Sequence, residues 1–100
     1  MIRHIVLYHL HDTAAGHNKV ENAALMKEKL ESLVGKIEGL RSLEIAPDCN
    51  NNSFDVCLNA VFDSIEALRF YKKHPLHVAA SDFVHEVMES RAAVDYEIFG

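Results

Sequence analysis

Residues 2–10 (Ile-Arg-His-Ile-Val-Leu-Tyr-His-Leu) read as a β-strand with two largely apolar faces. Ile2, His4, Val6, Tyr8 and Leu10 alternate with Arg3, Ile5, Leu7 and His9. Neither face of such a strand suits water, so the fold must cover it on both sides. In a chain of 100 residues, enough for one domain with little area to spare, that requirement leaves few architectures.

The rest of the pattern narrows them. After a polar connection over residues 12–18, Met26, Leu30, Leu33, Val34 and Ile37 recur at helical spacing opposite Lys27, Glu28, Glu31 and Lys36, and Gly39 stands where a C-terminal cap would be. Residues 40–46 form a second strand with Leu43 and Ile45 on one face. The turn formers of 47–53 then make a hairpin tip leading into a third strand over 54–62. Asp63 or Ser64 is placed to cap a second helix, with Glu66 positioned for a capping box from Asp63 and with Ile65, Leu68 and Tyr71 or Lys72 facing inward. A stripe of Phe83, Val84, Val87 and Met88 carries helix to Ser90, and residues 92–99 close as a strand.

The order β-α-β-β-α-β predicts an α+β, ferredoxin-like fold: a four-stranded antiparallel sheet with two helices on one face. The other face, carrying Ile5, Leu7, Val94 or Tyr96 and Ile98, is too apolar for water, and a second copy of the chain is the economical cover. A homodimer through the open sheet face is therefore expected.

Charge removes other partners. Ten basic against fifteen acidic residues give a net charge of −5, so no basic stripe is available for nucleic acid or an anionic membrane. No apolar run approaches the ~20 residues of a membrane span, and the first residues do not follow a signal-peptide plan, which makes the cytoplasm the expected compartment. Cys49 and Cys57 read as free thiols. Seven histidines invite a metal reading at His9-x-His11 and His74-x-x-His77, but no acidic or sulfur ligand stands beside them and a closed site needs about four ligands. Neither a metal nor a cofactor is expected.

The residues with most chemistry lie in Tyr71-Lys72-Lys73-His74-Pro75-Leu76-His77-Val78. Pro75 lacks an N–H and disfavours helix at His74, so one helix should end there and a new one begin. At such a corner Tyr71 and His77 can face one hollow as phenol donor and imidazole base, with His4 and Asp95 reaching it from the first and last strands. The same residues also read as capping groups that fix a helix corner. A cavity lined by His4, Tyr71, His77 and Asp95 and open to solvent would favour the first reading, and a collapsed one the second.

End to end, the chain resembles the stress-responsive α/β-barrel (Dabb) family. The resemblance rests on His4-Ile5-Val6-Leu7-Tyr8, Ile37-Glu38-Gly39-Leu40, the run from Phe54-Asp55-Val56 to Phe62, the Tyr71–Val78 segment and Val94-Asp95-Tyr96. It implies two sheets packed face to face across a dimer as a barrel, with a separate pocket in each protomer between its own sheet and helices. Most members have no assigned reaction. A plant polyketide cyclase of the family uses a tyrosine and a histidine matching Tyr71 and His77, with pocket positions matching His4 and Asp95, while Val56 stands where that cyclase has a further histidine. The resemblance therefore implies a homodimeric small-ligand-binding or structural module. The alternative is a cofactor-independent cyclase or isomerase acting on a small polyketide-like or aromatic substrate.

Overall fold

The computed structural model describes residues 1–99, ordered as β1 (Ile2–Leu10), β2 (Thr13–Ala14), β3 (His17–Asn18), α1 (Lys19–Glu31), β4 (Leu40–Pro47), β5 (Val56–Phe62), α2 (Ile65–Lys73), α3 (Pro75–Val87) and β6 (Met88–Glu97). β1 is central in an antiparallel sheet of order β4-β5-β1-β6. Its even-numbered residues from His4 to Leu10 are buried beneath the helices. Register places Ala60, Leu58 and Val56 of β5 and Asp95, Ala93 and Arg91 of β6 on that same side. This is the ferredoxin-like arrangement anticipated from the pattern, with three helices rather than two.

The difference in helix number comes from the corner. His74 is extended (φ −66°, ψ 134°) and caps both helices: it closes α2, and its Nδ1 accepts the Leu76 N–H at 3.1 Å to open α3, with Pro75 in the first turn. α2 starts on Ser64, whose hydroxyl accepts from the Ala67 N–H at 3.1 Å. Asp63, the other candidate cap, pairs instead with Arg41, so no capping box forms from it.

Other boundaries move for equally local reasons. α1 is opened by a reciprocal capping box between Asn18 and Glu21 and ends at Glu31, not at Ile37. Leu33 and Ile37 are still buried, but from successive turns, while Val34 is exposed. Gly39 therefore does not cap α1. At φ +87° it passes beneath α2, where an added Cβ would lie 2.6 Å from the Ala67 Cβ, so both backbone and space demand glycine. The connection over 12–18 folds into a small hairpin turning at Ala15 and Gly16, both at positive φ. The buried Asn22 side chain clamps it by donating to the Ala14 and His17 carbonyls at 3.0 and 3.4 Å. β5 begins at Val56 rather than Phe54. Asp55 just before it turns its carboxylate to the Leu10 N–H (2.8 Å) and Lys19 (3.4 Å). α3 stops at Val87 and β6 starts at Met88, because pairing with β1 captures residues 88–90 that helical spacing alone would assign to the helix.

The core lies between helices and sheet. Met26 and Leu30 of α1, Leu68 and Tyr71 of α2, and Val84 and Val87 of α3 pack over Val6, Tyr8, Leu43, Ile45, Leu58 and Phe62. On the sheet's other side Ile5 and Leu7 are only half-buried, and Val94 and Tyr96 are 55% and 46% exposed.

Candidate functional site

The helix cover runs out over β6, and a cavity of about 270 Å³ opens there. Its floor is His4, Tyr8 and Leu58 of the sheet. Its walls come from the corner: Tyr71 and Lys72 end α2, and His77, Ser81, Val84 and His85 follow along α3. Arg91 enters from β6, opposite Tyr8 in register. The proline corner thus does what its sequence suggests and turns two consecutive helices toward one hollow.

Tyr71 and His77 meet with ring centroids 4.1 Å apart and planes tilted by 42°. Tyr71 also stands edge-on to Phe62 at 4.9 Å, and Phe62 to His4 at 6.2 Å, so four rings run in series from the corner to the sheet floor. Burial, helped by the neighbouring Tyr8, pushes the Tyr71 hydroxyl far above the ordinary phenol range, which keeps it a protonated donor. Burial also lowers the His77 pKa, and nearby His4, Lys72 and His85 act in the same direction against a raising bond to Lys72. His77 Nδ1 lies 3.3 Å from the Lys72 carbonyl. A carbonyl only accepts, so Nδ1 carries the proton and Nε2 is left as the lone-pair nitrogen of a neutral ring.

His4 is buried in the floor, and its Nδ1 bonds to the carboxylate of Asp95, the residue opposite it in register, whose side chain is 32% exposed. Asp95 itself stands behind His4 and does not line the cavity. His74 also stays out of it, engaged as the helix cap. The lining residues that sequence reasoning missed were partly findable: Ser81 and His85 follow His77 at four-residue intervals and so share its helix face. Arg91 was hidden by the misplaced start of β6.

A larger hollow of about 580 Å³ lies under the hairpin tip, lined by Leu7, Pro47, Asp48, Cys49, Phe54 and Cys57 among others. Hydrogen bonds from Asn52 lower the Asp48 pKa, and burial raises that of the Cys57 thiol, which disfavours its thiolate. Both cysteines are free. Among the described residues no three His, Cys, Asp or Glu side chains gather as metal ligands: His9 stacks on Phe54 at 4.3 Å, and His11 is exposed. Among the described residues no helix is long and apolar enough to cross a membrane.

A family model described as the stress responsive A/B barrel domain matches residues 2–98. The chain belongs to that family. An uncharacterised protein of Streptomyces coelicolor is 36% identical over 81 residues, covering 79% of this chain and 81% of the relative. A ferredoxin-like protein of unknown function from Bacteroides fragilis, described as dimeric, superposes with a TM-score of 0.87 at 37% identity over 97% of this chain and 95% of its own. A dimeric ferredoxin-like protein from Thermobifida fusca, also of unknown function, gives a TM-score of 0.76 at 26% identity over 97% and 90%. No specific activity is established for these A/B barrel relatives, so the chemistry of this member has to be argued from its own cavity.

Proposed function

We propose that the protein works in the cytoplasm as a homodimer joined through the open sheet face. Each protomer's cavity binds a small, partly apolar molecule and moves a proton on it without a cofactor. The observation that carries the chemistry is His77: half-buried, its pKa held below the ordinary value chiefly by that burial, with Nδ1 against the Lys72 carbonyl and its ring against Tyr71. In this reading Nε2 withdraws a proton from an acidic carbon or a phenol, Tyr71 donates a hydrogen bond to the developing oxyanion, and Asp95 orients His4 in the floor. Aldol-type cyclisation and isomerisation are the reaction classes that need no more than this. The dimer is supported by the apolar Leu7 and Val94 on the uncovered face and by the dimeric relatives. Leu7→Glu with Val94→Glu should yield a folded monomer by sedimentation.

A second reading keeps the dimer and makes the pocket purely a binding or structural feature. It is favoured by His74, which caps α3, and by the His77–Lys72 bond, which ties the corner shut. Deuterium uptake at the acidic carbon of small β-diketones and phenolic β-keto acids separates the two. Catalysis predicts accelerated exchange that falls by ~10²–10⁴-fold in His77→Ala and drops in Tyr71→Phe, with the fold intact. If no probe exchanges faster than in buffer, the binding or structural reading stands.

A further inference from the structure

Although acidic residues outnumber basic ones fifteen to ten, the cavity inverts that balance. Of its eleven lining residues, five are nitrogen bases (His4, Lys72, His77, His85 and Arg91) and none is a carboxylate. Arg91 and Lys72 have no ion-pair partner among the described residues, and Asp95, on the same face of β6 as Arg91, is engaged by His4. Two permanent cations without an ion-pair partner beside a partly enclosed, partly apolar hollow bias it toward a ligand of opposite sign.

We infer that the cavity takes a small planar monoanion, a carboxylate in particular, with its charge held by Arg91 and Lys72 and its body over Leu58 and Val84 beside Tyr71 and His77. Arg91 supplies the directional part, since a guanidinium meets a carboxylate through two parallel N–H donors, whereas Lys72 acts as a point charge. The volume sets the size: about 270 Å³ lies just below the ~300–1,000 Å³ of sites for drug-sized ligands, so one substituted ring or a short acyl chain fills it. The inference rests on the cavity being the ligand site proposed above and adds the charge class to it. It also gives Arg91 and Lys72 a role distinct from proton transfer, as anchors that fix the reacting carbon relative to His77.

The test uses matched acids and amides, benzoate with benzamide and salicylate with salicylamide, titrated into the intact protein and followed by amide NMR at Tyr71, His77, Ser81 and Arg91. The acids should bind there at least tenfold more tightly than the amides. Arg91→Gln and Lys72→Gln should each cut acid affinity by about tenfold, as expected for loss of a charge-assisted contact, and leave amide affinity unchanged. Lys36→Gln, remote from the cavity, should change neither. Amides binding as tightly as acids, or Lys36→Gln weakening the acids as much as Arg91→Gln does, overturns the anion inference and leaves the ligand-site reading standing. Probes of neither charge shifting the cavity resonances overturns both.

Discussion

The helix-facing side of the sheet is sealed at one edge and open at the other. Over β4 and β5 it presents Leu43, Ile45, Val56, Leu58, Ala60 and Phe62, all buried beneath the helices, whereas over β6 it presents Arg91, Ala93 and Asp95, all exposed. The same backbone ladder supports both. At the sealed edge side chains are chosen for volume, because apolar burial and packing dominate there. At the open edge water is present and packing demands are weak, so charged groups are tolerated, and that is where the imidazoles, the phenol and the guanidinium collect. The corner at Pro75 serves both edges, since Tyr71 fills core on one side and lines the cavity on the other.

If that contrast is real, mutational cost should differ sharply across β1. Phe62→Ala at the sealed edge removes a fully buried ring that touches both Tyr71 and His4, and it should cost about 3–5 kcal/mol in chemical denaturation. That is a large share of a small domain's stability. A loss under about 1 kcal/mol would mean that the edge is not sealed in solution.

Asp95→Ala, across the sheet, breaks the only side-chain bond described for His4, yet water at the open edge can reach the freed Nδ1–H. The cost should therefore be about 1 kcal/mol or less, well below the penalty for an orphaned interior donor. Its signature should be chemical instead. Without the carboxylate the His4 ring loses its fixed tautomer, visible in the nitrogen shifts of the imidazole. Equal destabilisation by Asp95→Ala and Phe62→Ala would erase the difference between the edges.

The two edges were also unequally legible in the sequence. Alternation marks Leu43 and Ile45 as the inner residues of β4, whereas β1, apolar on both faces, shows only that both of its sides must be covered. Pro75 marks the helix junction through covalent constraint, since its ring and missing N–H disfavour helix at His74. β6 shows alternation only on its outer face, at Val94 and Tyr96 and on to Ile98, while Met88 to Arg91 are set as strand by pairing with β1 rather than by their own propensities. Arg91 was missed for that reason. The hairpin at Ala15-Gly16 was equally hidden, since it lacks the Asn-Gly or Asp-Gly of a recognisable tight turn and depends on Asn22 from the next helix. Strand register sets His4 opposite Asp95, and a contact between them is one the sequence suggests, but the sequence does not show that Asp95 stays out of the cavity lined by His4, Tyr71 and His77.

The smallest expected effect is the most diagnostic for the open edge. Burial holds the folded-state pKa of His77 below its ordinary value of 6.5, with His4, Lys72 and His85 adding to the effect. The unfolded chain then binds a proton at this site more readily than the folded one, so stability is unaffected above about pH 6.5 and falls as the pH drops from there through the lowered folded-state pKa. His77→Gln should flatten that part of the stability–pH curve relative to the parent protein while the contributions of the other six histidines remain in both. A carboxylate probe in the cavity reverses the sign, because an anion beside the ring favours the imidazolium. Saturating benzoate should therefore raise the His77 pKa seen by NMR and remove the acid-side loss. If the pKa stays where it was while benzoate occupies the cavity, the anion sits away from the corner, and Arg91 and His77 do not act on the same molecule.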